Sequence, residues 1–229
     1  MAAMARRCGL RITRSDWPSG MALAALLVLL GGCASLSESE CRQGDWRAIG
    51  AEDGRDGRDR ARLGEHRQAC VEYGIAPDEP AYLAGRDEGL RTYCTAGNGF
   101  RVGSAGSAYA GVCPPLLEGA FLHAFENGRE LHGLRSAVEE VGRRIDEDER
   151  ELRRVEDELR YLERAVNETQ DADRRRDLVR DLRRLAEQRG RIRGELDALY
   201  GEHRLRSHRL DVFRDRLRDE SAYLDLAVP

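Results

Sequence analysis

Five polar side chains in the first half of the chain have the chemistry of a hydrolytic site: Asp45, Asp53, His66, Asp78 and Tyr109. Such chemistry needs an acid, a base and a nucleophile converging in one cleft. No nucleophile elbow, zinc-protease helix or serine signature frames these five. His66, in Glu65-His66-Arg67-Gln68-Ala69-Cys70, reads instead as a surface or capping histidine on a helix leading into a cysteine. Asp53, Asp56 and Asp59 invite a calcium loop. Their regular spacing does not reproduce the alternate-residue ligand order of such loops, and no bidentate Glu follows in the right place, so a solvated turn is expected there. Gly97, Gly99 and Gly103 suggest a phosphate cradle, but no apolar strand leads into them. No catalytic residue, metal or cofactor is therefore assigned. The enzyme alternative is an envelope hydrolase using His66 and a nearby Asp.

Cysteine is the next reactive type. Of the six, Cys8 and Cys33 lie in the N-terminal segment, leaving Cys41, Cys70, Cys94 and Cys113. Zinc sites favour short C-x-x-C spacings, which are absent, whereas an even number of widely spaced cysteines suits disulfides in an oxidising compartment. Four cysteines allow three connectivities, and sequence alone does not choose among them. The expected pairs, Cys41 with Cys70 and Cys94 with Cys113, are those that close the shorter loops.

Cys33 has a different chemistry. Arg6, Arg7, Arg11 and Arg14 form a basic region, Met21 to Leu30 an apolar run, and Leu30-Gly31-Gly32-Cys33 follows. The run is shorter than the roughly 20 residues needed to span a bilayer and has the order of a secretory signal. Its end resembles the lipobox of bacterial lipoproteins. That resemblance implies removal of residues 1–32, lipid attachment to the Cys33 sulfur with palmitate-type acyl chains, and membrane partnership through those chains. Ala34 stands where the inner-membrane retention signal of that class usually has Asp, which implies the periplasmic face of the outer membrane.

The elements that carry these residues must fit a chain of 229 residues with 35% charged, 41% hydrophobic and 6% aromatic side chains, a composition that argues against one large core. Net charge is -4, and every one of the 38 basic residues is arginine. Acids balance them locally, so the uncompensated basic face that nucleic acid requires is absent.

A polar tether is expected over 33–40 and a head over 41–128. The large apolar residues of the head are few, among them Leu63, Val71, Tyr82, Leu90, Tyr93, Phe100 and Tyr109. A domain this small with so little to bury commonly needs covalent staples. Trp46 leads to Gly50 and Gly54, and Tyr82 to Gly85 and Gly89; Phe125 to Gly128 and Gly133 is a looser echo. Glycine costs about 1 kcal/mol in a helix, so pairs four apart imply close helix approach. For Gly50 and Gly54 a turn reading stays open, given the Asp-Gly-Arg-Asp-Gly-Arg run. A helix from about Pro80 to Cys94 is expected, with Asp78 as N-cap. Residues 95–112 read as irregular, with a tight turn at Asn98-Gly99 and a short ribbon around Phe100 to Val102.

The ordered set Cys41-x-x-Gly44-Asp45-Trp46-x-x-Ile49-Gly50-x-x-Asp53-Gly54, His66-x-x-Ala69-Cys70, Gly74-x-x-Pro77-Asp78, Tyr82-x-x-Gly85-Arg86-x-x-Gly89-Leu90-x-x-Tyr93-Cys94, Asn98-Gly99 and Tyr109-x-Gly111-Val112-Cys113-Pro114 resembles an uncharacterised family of bacterial lipoproteins, DUF2799. The resemblance covers the whole head. It implies a cell-envelope lipoprotein and no particular activity. Within it Arg86 joins Asp45, Asp53, His66 and Tyr109 as a polar position to examine.

Over 129–224 the pattern changes. Leu131, Leu134, Val138, Val141, Ile145, Asp148, Leu152, Val155, Leu159, Leu162 and Val166 form an a/d seam. After a polar pause at 167–173 the seam resumes through Leu178, Leu182, Leu185, Arg189, Ile192, Leu196, Leu199, His203, Arg206, Leu210, Phe213 and Leu217. Two seams of similar length predict an antiparallel coiled-coil hairpin with arms of about 60 Å, Leu131 near Phe213 and Val166 near Leu178. One unbroken rod that self-associates is the competing arrangement. The expected fold is therefore mainly α: a small disulfide-stapled helical and irregular head followed by a long helical hairpin. The expected role is that of a structural or adaptor lipoprotein, whose partner is an envelope protein or the cell wall.

Overall fold

The structure, a computed structural model, describes residues 35–224. Cys33, the signal over 1–32 and the first residues of the expected tether lie outside the described residues. All regular secondary structure among the described residues is helical, in the order α1 (Glu38–Gln43), α2 (Trp46–Arg55), α3 (Arg62–Val71), α4 (Glu79–Tyr93), α5 (Ala96–Ser104), α6 (Pro115–Glu168) and α7 (Ala172–Leu224). They divide into two compact units. One holds residues 35–44 and Leu63–Pro77; the other holds Asp45–Arg62 and 78–224.

The first unit is closed by the Cys41–Cys70 disulfide, with Cα atoms 5.5 Å apart. The segment expected as a tether is structured here. Leu36 is buried, and Ser37 and Glu40 form a reciprocal capping box that starts α1. Gly44, at φ 66°, ends that helix in the left-handed region that favours glycine.

In the second unit, α2 and α4 pack through their glycines. A Cβ placed on Gly50 would lie 2.0 Å from the Tyr82 carbonyl oxygen, and one on Gly85 would lie 1.9 Å from that of Arg47. Gly54 and Gly89 are equally tight, against the Arg86 and Ala51 carbonyls at 2.3 and 2.2 Å. The helix reading of Gly50 and Gly54 thus prevails over the turn. The approach is backbone to backbone, close enough for Cα–H···O contacts. Helix α4 starts as expected, with Asp78 accepting from the Ala81 N–H at 3.0 Å and Pro80 in the first turn.

The same device recurs one step along the chain, and it corrects the reading of residues 95–112. The segment expected to be irregular, with a turn at Asn98-Gly99 and a ribbon at Phe100 to Val102, contains helix α5. Thr95 caps it by accepting from the Asn98 N–H, and the Asn98 side chain donates to the Tyr93 carbonyl at 2.7 Å instead of making a turn. Gly99 and Gly103 face the α6 backbone, where Cβ atoms would come within 2.3 Å of the Phe121 oxygen and 2.1 Å of the Phe125 oxygen. Close packing outweighs the poor helix propensity of glycine, which is why local signals misled. Cys94 and Cys113, bonded with Cα atoms 5.6 Å apart, flank this segment. Tyr93, Val102, Phe121 and Phe125 pack over the bond.

Pro115 opens α6, which then runs without a break through the expected head boundary at 128 and out along the arm. Thr169 to Asp171 turn the chain, and the Asp171 carboxylate caps α7 by accepting from the Asp173 and Arg174 N–H groups at 2.8 and 3.1 Å. The two long helices form the antiparallel hairpin. Leu131 and Phe213 share one buried cluster with Phe100, Ala124, Leu210 and Leu217, so the base of the arm packs on α5. Val141 to Leu162 pack against Leu185 to Leu199 in another. Gln188 to Glu151 and Arg193 to Glu156 fix the register across the pair.

Gly85→Ala should cost at least about 3 kcal/mol in urea unfolding, because the methyl group meets fixed backbone rather than a movable side chain. Gly119→Ala, in α6 with nothing within 4 Å, should be neutral or stabilising by up to about 1 kcal/mol. Equal effects at the two sites would contradict the packing account.

Candidate functional site

The buried polar residues of the second unit gather where α2 meets α4. The glycine contacts bring the helices so close that Asp53 on α2 and Tyr82 on α4 bond directly, the Tyr82 hydroxyl donating to Oδ2 at 2.7 Å. Asp53 is 8% exposed and Tyr82 is 0% exposed. Asp53 is therefore no solvated turn residue; it lies within α2 and faces the core. Arg62 stands on its other side, Nε 3.9 Å from Oδ1. Arg86, one turn beyond Tyr82, is 5% exposed and donates through Nη2 to the Arg58 carbonyl at 2.7 Å. That bond ties α4 to the link after α2. The Nε of Arg86 is buried without a hydrogen-bond partner.

Burial first, and the bond to the Asp53 carboxylate second, push the Tyr82 hydroxyl well above its ordinary range. The guanidinium groups of Arg86 and Arg62 oppose that shift only in part. Tyr82 is accordingly a neutral donor at any ordinary pH. A carboxylate, a phenol and two guanidinium groups are the components of an acid–base site. Here their hydrogen bonds run to one another and to backbone, with Asp53, Tyr82 and Arg86 buried and Arg62 half-buried. What the cluster does is fix the registry of two helices.

The remaining candidates are distributed. Asp45 is exposed and caps α2, accepting from the Ala48 N–H at 3.0 Å. His66 corrects the surface reading: it is 2% exposed, inside the first unit, with Nδ1 2.9 Å from the Ser35 hydroxyl. It lies on the inward face of α3, with Leu63, Ala69 and Cys70 buried beside it. Tyr109 is half-buried, donates to Glu118 Oε1 at 3.0 Å and accepts from the Cys113 N–H at 2.9 Å. Its ring packs on Phe121 and Phe125, so it braces the second disulfide. Burial raises its pKa as well. The structure thus brings Asp53 and Arg86 together and adds Tyr82, which sequence reasoning placed only among the apolar core. A tyrosine at a core position must find an acceptor for its hydroxyl, and that rule was the available signal.

Among the described residues, no three of His, Cys, Asp and Glu converge as metal ligands do. No helix among them is long and apolar enough to cross a membrane. Residues 45–130 match the family model described as a protein of unknown function, DUF2799. The match starts at the cap of α2, covers Cys70, Cys94 and Cys113 but not Cys41, and continues beyond Pro114 into α6. The expected resemblance to DUF2799 is thereby found over residues 45–130. No curated protein and no solved structure matches the chain.

Ionising Tyr82 is opposed in the folded state, so its contribution is full below the unfolded phenol value of about 10 and is lost as pH rises above it. Urea stability should fall from about pH 10 upward. Tyr82→Phe should cost about 1 to 3 kcal/mol at neutral pH and flatten that alkaline slope. An unchanged slope would show that Tyr82 does not carry the shift.

Proposed function

We propose that the protein is a lipid-anchored component of the cell envelope, held at the periplasmic face of the outer membrane through Cys33, and that it serves as a structural or adaptor element for protein–protein contact. The order of basic region, apolar run and Leu30-Gly31-Gly32-Cys33 supports the anchor. Several acyl chains, at about 0.8 kcal/mol per buried CH₂, hold a membrane where one does not.

The single observation that carries the adaptor reading is the arm. Beyond the base that packs on α5, two helices of 54 and 53 residues spend their apolar positions on each other and leave charged outer faces broken by single exposed apolar residues such as Tyr161, Leu205 and Val212. Such a surface suits contact along its length with an envelope protein, the cell wall or a second copy. The head's polar groups support the same reading, since they are spent on holding helices.

Labelled palmitate should enter the wild-type protein and not Cys33→Ser, and only the wild type should sediment with outer membrane. Photo-crosslinking groups at Tyr161, Leu205 and Val212 in intact cells should each give a discrete adduct that is lost with Cys33→Ser. Label retained without Cys33 would overturn the anchor; no adduct from any arm position in the anchored protein would overturn the adaptor role.

A further inference from the structure

The apolar seam of the arm has a gap on its α7 side. One buried cluster reaches inward to Val141 and Leu199, and the other reaches outward to Val138 and Leu210. Between them the seam positions of α7 are His203 and Arg206, both half-buried. Arg206 crosses to α6 and donates through Nη1 to the Ala137 carbonyl at 3.1 Å, while Nη2 bonds Glu202 on its own helix. In an α-helix that carbonyl is also the acceptor for the N–H four residues on, at Val141. A side chain inserted into the helical ladder is one of the few identified causes of bending.

Two glycines stand at the same level. Gly142 follows Ala137 by five residues and Gly201 precedes Arg206 by five, so in an antiparallel pair the two lie side by side along the arm. A Cβ on Gly142 would meet nothing within 4 Å, and one on Gly201 would meet only the flexible end of Arg204 at 4.0 Å. In the head, glycine is required by touching backbones. Here no contact requires it, and each glycine still weakens its helix by about 1 kcal/mol relative to alanine. Gly190 and Gly194 have the same open surroundings but no α6 glycine at their level.

We propose that this layer, Ala137 to Gly142 with Gly201 to Arg206, is a joint that divides the arm into a base fixed on α5 and a stiff distal rod. Both helices carry an unpacked glycine at one level, the α7 side of the seam there is polar, and a guanidinium shares the Ala137 carbonyl with the helical ladder. The distal rod from Gly142 to Glu168 is about 40 Å long, so a bend of about 20° carries its tip about 14 Å. The joint rests on the arm's own residues and holds whether or not Cys33 is lipidated.

The test is the set of backbone amide residual dipolar couplings of α6, measured by NMR on the full chain in detergent micelles. The couplings of 116–137 report the orientation of the base and those of 143–166 that of the distal rod, so motion about the joint is read as an angle rather than as a distance along the helix. In the wild type the distal rod should show a smaller alignment magnitude than the base. Gly142→Ala with Gly201→Ala, which adds methyl groups in open space, should bring the two magnitudes together. Adding His203→Leu and Arg206→Leu should close any difference that remains, and Gly190→Ala with Gly194→Ala should leave the wild-type difference unchanged. Equal magnitudes in the wild type, or a difference closed equally by the Gly190 and Gly194 pair, would overturn the joint.

Discussion

The contact on which the second unit depends is between two backbones. Helices α2 and α4 approach so closely that four positions admit no side chain at all, and that approach brings Asp53 within hydrogen-bond reach of Tyr82 and Arg86 within reach of the Arg58 carbonyl. The order of causes matters. A buried carboxylate and a buried guanidinium are costly unless hydrogen-bonded, and only a tight helix pair supplies partners at the right distance. Glycine is therefore the condition for the polar cluster, and the cluster then fixes registry more sharply than apolar packing does, since a slip by one turn would strand a carboxylate in the core.

The same solution, repeated between α5 and α6, explains how a head with few large apolar residues is joined to so long an arm. Glycine-mediated contact needs little side-chain volume, and the Cys94–Cys113 bond together with Tyr109 secures the turn that precedes α6. Since α6 belongs both to this packed pair and to the hairpin, the arm's base is part of the head's core, and Leu210, Phe213 and Leu217 of α7 return to complete it. Further out the helices have only each other. An arm of this kind is rigid where its seam is apolar and weakens where the seam turns polar.

Much of this was legible in the sequence. The heptad seam foretold the hairpin, with Leu131 and Phe213 in one cluster, because a period sustained over ten turns has few other meanings. Asp78 and Pro80 marked the start of α4, and short loops favoured the observed disulfides. Residues 95–112 depart from the sequence expectation for a physical reason: Asn98-Gly99 and Gly103 are local turn signals, and the role of the two glycines is tertiary, facing the Phe121 and Phe125 carbonyls. Charge alone argues for solvent at Asp53 and His66, and both are buried. What buried them, a tyrosine 29 residues away in one case and Ser35 in the other, is long-range pairing that no local pattern encodes. The polarity of 36–40 suggests a tether and hides a capping box.

If backbone contact is the foundation of the second unit, α2 and α4 must open together. Native-state hydrogen exchange followed by mass spectrometry measures this directly on the intact chain. The account predicts that the amides of Trp46–Arg55 and Glu79–Tyr93 exchange through one shared opening, with the same free energy, and that Asp53→Asn lowers protection equally in both. Fast exchange in α2 beside continued protection of α4 would contradict it.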